Sequence, residues 1–172
     1  WIGGNRGVNK YNRESDNFSR YFPEENKEKL EINVNEIVSI TQDYSGKVWI
    51  GTWNEGLFYF DSGKDKFIKY EPDPKYSEIF INKFITIIHA SRWKEKNILW
   101  MDSWRNGLYK IELENDKITH YKNQPGNPTS ISDNDLWTIY QTDEDSKELW
   151  IGTDEGGLNR FDIRTEEFTH YQ

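Results

Sequence analysis

The apolar positions of the chain form a pattern that recurs at intervals of about 50 residues. Each repeat contains an apolar run built on a tryptophan, as in Leu149–Asp162, which reads LWIGTDEGGLNRFD. The tryptophans of the four runs are Trp1, Trp49, Trp100 and Trp150. A tyrosine follows each at a similar distance, namely Tyr21, Tyr70, Tyr121 and Tyr171. Self-similarity at this period predicts a repeat architecture.

The second repeat shows how polar turns divide one unit into strands. Its apolar and β-branched segments cover 35–43, 48–52, 57–61 and 66–71, and turns rich in Gly, Asn and Asp separate them. Short strands at this spacing predict an antiparallel all-β fold. Four strands in a unit of this length are typical of a β-propeller blade.

The repeats therefore predict one domain over residues 1–172, a partial β-propeller of about four four-stranded blades. The blades are expected at about 1–22, 35–71, 82–122 and 134–172. The first begins at its second strand and so lacks its innermost strand. In the third, residues 91–96 are expected to enlarge the first turn, after an innermost strand at 82–89. We interpret the chain as part of a larger propeller.

The innermost strands are apolar at consecutive positions, as in Phe84–Ile88 and Leu136–Tyr140. Because both sides of a blade pack on neighbours, this pattern predicts strands that are buried on both faces. Glycines follow the Trp-Ile pair in three repeats, at Gly3, Gly51 and Gly152. A glycine within a strand indicates close approach, and we expect room there for an aromatic side chain of the next blade.

Composition limits the possible functions. The net charge is −8. Because nucleic-acid binding requires a basic surface, we do not expect nucleic acid as a partner. The chain has no cysteine, which excludes disulfides, thiol catalysis and thiolate metal sites. It contains no apolar run long enough for a membrane span. We find no nucleophile–base set, metal-binding spacing or phosphate loop, so we expect no enzymatic activity, no metal and no cofactor.

The fourth repeat and the segment before it resemble the two-component regulator propeller repeat. Leu149–Tyr171 carries the repeat nearly letter for letter, and Asn127–Asn134, NPTSISDN, carries its connecting segment. The third repeat departs from it at Met101-Asp102. The resemblance implies the periplasmic or extracellular sensor region of a hybrid two-component histidine kinase, with larger, usually seven-bladed rings. It also implies a carbohydrate or another small extracellular ligand.

The connections between blades share one side of the propeller with the short turns between second and third strands. Long loops on a rigid scaffold often carry function. Trp53 and Trp104 lie in two of these turns, beside Asn54 and Arg105, and Arg6 lies in the turn of the first blade. Tryptophan is unusual in turns, so we expect a sugar-stacking platform with hydrogen-bonding neighbours. The alternative is that each tryptophan covers an adjacent blade or a loop.

Two further sets of polar residues are candidates. Asn35, Asn82 and Asn134 recur at the start of the innermost strands, where they could ring the mouth of the central channel. The alternative is that each side chain satisfies a backbone turn. Asp102 stands where other repeats have glycine, and a strand carboxylate needs partners. We expect a structural role, through pairing with Arg105 or through a local irregularity that reaches solvent.

The favoured function is a ligand-sensing propeller segment of a two-component signalling receptor. The alternatives are a propeller-type carbohydrate-active enzyme and a protein-interaction or dimerisation scaffold, and fold alone does not choose among them. An open arc of blades would expose two aromatic faces, which drive association. We therefore expect the chain to self-associate, two copies pairing end to end into a ring of about eight blades.

Overall fold

The computed structural model of the chain describes residues 1–21, 36–76, 84–143 and 146–171. These residues form four antiparallel sheets, each a meander in which strands pair in chain order. The strands of the first blade are β1 (Ile2–Gly4), β2 (Gly7–Asn12) and β3 (Asn17–Tyr21); of the second, β4 (Ile37–Gln42), β5 (Val48–Thr52), β6 (Leu57–Asp61) and β7 (Lys66–Lys69). Those of the third are β8 (Ile88–Trp93), β9 (Lys96–Asp102), β10 (Leu108–Glu112) and β11 (Lys117–Tyr121); of the fourth, β12 (Leu136–Tyr140), β13 (Glu148–Thr153), β14 (Leu158–Asp162) and β15 (Glu167–Tyr171). The all-β fold of propeller blades is confirmed, as is a first blade without an innermost strand.

The start of the third blade differs from the prediction. Its innermost strand β8 begins at Ile88, not at 82, and pairs with β9 as far as Trp93 and Lys96. The expected enlarged turn is wrong, because 91–96 continue the two strands. Lys94 and Glu95 close the hairpin with φ of 48° and 64°. Two left-handed residues match the twist of a two-residue hairpin, a geometry that a Lys-Glu pair does not signal in sequence.

Three hydrophobic clusters hold neighbouring blades together. The first lies between the first and second blades and includes Val8 and Ile50. The second joins the second and third blades, and the third joins the third and fourth, around Trp49 and Trp100 respectively. Among the described residues, no cluster joins the first blade to the fourth. The blades therefore form an open arc with one uncovered face at each end.

The innermost strand of the fourth blade is not buried on both sides. Leu136 and Ile139 are buried, but Trp137 and Tyr140 are exposed. Trp137 lies at a bulge, where the pairing of β12 with β13 shifts between Leu136 and Thr138. The expectation of two buried faces is therefore wrong for this strand, because no further sheet of the described residues packs on its outer side.

The strand glycines make room for the backbone and isoleucine of the next blade. A Cβ on Gly3 would lie 2.6 Å from Cγ2 of Ile37, and one on Gly51 would lie 2.7 Å from the carbonyl oxygen of Ile85. The prediction of close approach is confirmed, but the expected aromatic neighbour is wrong. At these two interfaces, Ile37 and Ile85 of the following blade pack directly over the glycine of the blade before it.

Candidate ligand-binding site

The turns that carry the two tryptophans lie beside the starts of the innermost strands. The backbone N–H of Trp53 donates to the carbonyl of Glu36 at 3.0 Å, and that of Trp104 donates to the carbonyl of Phe84 at 3.1 Å. These bonds fix the turns after β5 and β9 on one side of the arc. We call this side, with the turns at 53–55, 104–106 and 154–156, the upper face.

On the upper face Trp53 and Trp104 form a pair. Their ring centroids are 5.8 Å apart at an interplanar angle of 35°. Phe84 lies edge-on to both, with centroid distances of 5.6 Å. The tryptophans are 39% and 38% exposed. The tryptophan pair therefore packs on Phe84 on one side and presents aromatic surface to solvent on the other. Both alternatives from the sequence apply in part, because the two rings are partly exposed and Trp53 also covers a residue of the adjacent blade.

Arg105 connects the tryptophan pair to the fourth blade. Its guanidinium lies 5.1 Å from the centroid of the Trp104 ring, within the range of a cation–π contact. Its Nε donates to Oδ2 of Asp135 at 3.1 Å, and most of the side chain is exposed. The expected pairing of Arg105 with Asp102 is therefore wrong. The cation has donors left for a ligand that lies on Trp104.

Asp102 is a buried support beneath this site. Its carboxylate accepts hydrogen bonds from the backbone N–H of Thr86 (3.0 Å), the Thr86 hydroxyl (2.6 Å) and the backbone N–H of Ile87 (2.7 Å). Burial raises the pKa of Asp102 to about 6, although these hydrogen bonds act in the opposite direction. The expectation that Asp102 reaches solvent through a local irregularity is also wrong, because its side chain is buried. It holds the segment that follows Phe84 where a regular strand pairing is absent.

Trp137 belongs to the upper face but was not predicted as a site residue. It is 71% exposed, and its indole Nε1 donates to Oδ1 of Asp154 at 3.0 Å. The equivalent bulge position in the second blade is Val38, which is also exposed. The exposure of Trp137 results from the bulge, which the apolar pattern of the sequence does not reveal.

The remaining predicted residues have different surroundings. Asn134 accepts the backbone N–H of Asn123 with its side-chain oxygen at 2.8 Å, and its carbonyl accepts the N–H of Gly107 at 2.9 Å. It therefore ties the preceding connection to the turn of the third blade. Asn35 and Asn82 lie outside the described residues. Arg6 and Asn54 are exposed in turns of the upper face.

Within the four described ranges, no group of three or more His, Asp or Glu side chains is arranged to hold a metal ion. The described chain also contains no helix of the length and apolar character needed to cross a bilayer.

No protein-family model matches the chain, and no curated protein does. Among solved structures, it resembles the extracellular domain of BT3049 from B. thetaiotaomicron, a protein assigned as a hybrid two-component system, with 30% identity and a TM-score of 0.67. The aligned region covers 79% of this chain and 18% of that one. This similarity agrees with the resemblance of the chain to the two-component regulator propeller repeat.

Two further structures share the fold of these propeller repeats. PorZ, a surface component of the type-IX secretion system of Porphyromonas gingivalis, has 21% identity, a TM-score of 0.56, and coverage of 76% of this chain and 18% of its own. The β-propeller domain of Cps50 (Swd1) from Myceliophteria thermophila has 14% identity, a TM-score of 0.57, and coverage of 97% and 55%. At these identities the similarity shows the fold alone.

The chain thus spans about a fifth of the length of the BT3049 structure. The matched region of that protein is extracellular, in agreement with the periplasmic or extracellular location that the repeats imply for this chain.

Proposed function

We propose that this chain is a ligand-sensing segment of a two-component signalling receptor, and that its upper face contacts a carbohydrate or another small extracellular ligand. The observation that supports the proposal is the exposed tryptophan pair, which stands next to an arginine whose donors are only partly used. The similarity to an extracellular domain of a hybrid two-component system supports the sensing role.

The chemistry of the upper face suits a sugar. An indole ring offers a flat apolar surface with a polar edge, and the C–H face of a pyranose can lie against it. Arg105 and Asn54 offer hydrogen-bonding groups beside the rings, and Trp137 with Asp154 extends the same face to the fourth blade. A few polar groups around an aromatic surface are typical of small-ligand sites.

Two acidic groups of this region have structural partners. Asp102 is buried and bonded to the strand start, and Asp135 is paired with Arg105. We therefore propose binding without turnover, and a bound oligosaccharide should be recovered uncut.

Trp53→Ala and Trp104→Ala are each expected to weaken binding of an oligosaccharide at least tenfold, because each removes one stacking surface. The loss of stability should stay near 1–2 kcal/mol, since both side chains are partly exposed. Calorimetric titration of a neutral oligosaccharide panel, alongside thermal melting, measures both effects.

The matched control is Tyr44→Ala, which changes a similarly exposed aromatic residue in the β4–β5 turn on the opposite side of the arc. It should leave the affinity unchanged. Unchanged binding in both tryptophan variants would contradict the proposed site, and cleaved oligosaccharide would favour the enzymatic alternative.

A further inference from the structure

The charged residues around the tryptophan pair are mostly acidic. Three residues at the starts of innermost strands accept the backbone N–H groups of the upper-face turns with their carbonyl oxygens, namely Glu36, Phe84 and Asp135. We call these three residues, together with the turns at 53–55, 104–106 and 154–156, the rim. The rim contains one cation, Arg105, and five carboxylates, those of Glu36, Glu55, Asp135, Asp154 and Glu155. Its formal charge is therefore negative.

Arg105 is held in place by its own turn and by Asp135. Its φ is 60°, in the left-handed region that is uncommon for residues other than glycine. The equivalent residues of the other two turns, Asn54 and Glu155, do not have a positive φ. The guanidinium Nε donates to Oδ2 of Asp135 at 3.1 Å and lies over the ring of Trp104. A strained backbone conformation persists where the surroundings fix it, often at binding sites, so the turn aims the cation at one particular carboxylate.

Asp135 is the less accessible member of this ion pair. Its backbone N–H donates to Oδ1 of Asp133 at 3.2 Å, and its carbonyl accepts the N–H of Asp154 at 2.9 Å. The Asp135 side chain is 19% exposed, whereas that of Arg105 is 69% exposed. A ligand on the upper face therefore meets a guanidinium whose charge is already compensated from the protein side.

The other carboxylates of the rim are largely uncompensated. Glu55 lies 3.8 Å from Nζ of Lys69. Among the described residues, no lysine or arginine forms an ion pair with the remaining three, which are Glu36, Asp154 and Glu155. The hydrogen bond that Asp154 accepts from the indole of Trp137 comes from a neutral donor and leaves the negative charge in place.

This distribution of charge disfavours an anionic ligand. Like charges that are brought together across an interface repel, and the repulsion is stronger where water is excluded. A carboxylate or sulfate that bound Arg105 through two hydrogen bonds would compete with Asp135 for the guanidinium. A neutral hydroxyl needs only one of the N–H donors that Asp135 leaves unused. The rim therefore suits a ligand without negative charge.

We propose that the upper face selects uncharged oligosaccharides over those that carry carboxylate or sulfate groups, and that Asp135 determines this specificity by neutralising Arg105. The inference rests on the proposed binding of a carbohydrate at the tryptophan pair, and it adds the charge class of that carbohydrate. Asp135 acts through Arg105 and is thus a positioning residue, whose effect depends on the charge of the ligand.

Calorimetric titration of matched sugars tests the proposal. The probes are cellotetraose, maltotetraose and mannotetraose, each compared with the form in which its primary hydroxyls are oxidised to carboxylates. The wild-type chain should bind the neutral form of the best-binding sugar at least about tenfold more tightly than the oxidised form. Because the chain has a net charge of −8, the titrations are made at physiological salt, which screens distant charges.

Asp135→Asn keeps an oxygen acceptor for Nε of Arg105 and removes the negative charge. The preference for the neutral form, measured as the ratio of the two affinities, should then fall at least about tenfold, because the freed guanidinium can bind a carboxylate through two hydrogen bonds. Addition of Arg105→Gln to this variant should abolish the gain in affinity for the oxidised form.

Asp162→Asn is the matched control, since it removes a carboxylate from its pair with Arg164 in the β14–β15 turn, on the opposite side of the arc. It should leave the ratio of the two affinities unchanged. An equal fall of the ratio in this control would overturn the proposal, because the effect would then come from the overall charge of the chain.

Two further results would overturn the charge preference but not the tryptophan site. One is a wild-type chain that binds the oxidised form as tightly as the neutral form, and the other is an unchanged ratio in Asp135→Asn. A failure of the proposed function has a different signature. The neutral sugars would then not bind, or would bind Trp53→Ala and Trp104→Ala as tightly as the wild type, and this would overturn the charge preference as well.

Discussion

Replacement of Trp100 by alanine is expected to destabilise the fold by about 3–5 kcal/mol, the range for removal of a large buried aromatic side chain. Trp100 has 0% exposure in the cluster between the third and fourth blades. Its ring lies edge-on to that of Phe161 at 5.5 Å, and its indole Nε1 donates to the hydroxyl of Ser91 at 2.8 Å. The substitution therefore leaves a cavity and removes the partner of a buried hydroxyl.

Trp150→Ala is the matched comparison, because Trp150 holds the same repeat position in the fourth blade. It is only half-buried and packs on Tyr171 of its own blade at 5.6 Å. We expect a cost of about 1–2 kcal/mol. Urea unfolding of both variants measures the difference. Equal costs would contradict the open arc, since they would mean that Trp150 is as deeply buried as Trp100.

Asp102→Gly is expected to destabilise the fold by about 2–4 kcal/mol, although it restores the residue that the other repeats carry. The substitution leaves the N–H groups of Thr86 and Ile87 without an acceptor, and each unpaired buried donor costs about 1–3 kcal/mol. Asp102→Asn keeps a side-chain oxygen for these donors and should cost less. Thermal or urea unfolding of both variants measures the two costs. A glycine variant more stable than the wild type would contradict the role of Asp102 as the acceptor of these hydrogen bonds.

Asp102 also predicts a pH dependence. Its pKa is raised from 3.8 to about 6 in the folded chain, so the folded state holds this proton more tightly than the unfolded state. The stabilisation is complete below pH 3.8 and is lost as the pH rises to about 6, by up to about 3 kcal/mol.

Other carboxylates also titrate in this window, and the Asp102→Asn variant separates their effect. The difference in unfolding free energy between the wild type and this variant should fall between about pH 4 and pH 6 and stay constant above it. A difference that is independent of pH, or one that rises, would contradict the buried position of the carboxyl.

The sequence predicts the blades because each is defined by features local to one repeat. Gly46 and Gly56 have φ of 85° and 89° in turns that end strands of the second blade, and glycine is the residue that favours this conformation. The strand bounds of that blade could therefore be predicted closely. The start of the third blade could not, because the carboxylate of Asp102 replaces part of the strand pairing.

In the candidate site, the positions of the two tryptophans could be predicted because they lie in turns of known order. Trp53 and Trp104 stand in equivalent turns, so their shared face follows from the strand order. The contact of both with Phe84 and the pairing of Arg105 with Asp135 depend on how adjacent blades pack. That packing joins residues far apart in sequence, and no local pattern encodes it.

We propose that ligand binds at the tryptophan pair of the upper face, and NMR of the tryptophan side chains tests this proposal directly. The eight tryptophans give separate indole N–H signals in a ¹⁵N-labelled chain, and single tryptophan substitutions assign them. When the best-binding oligosaccharide of the panel is added, the signals of Trp53 and Trp104 should move. Those of Trp49 and Trp100, whose indoles are bonded to Asp43 and Ser91 in the interior, should not. Binding that leaves the Trp53 and Trp104 signals in place would contradict the proposal.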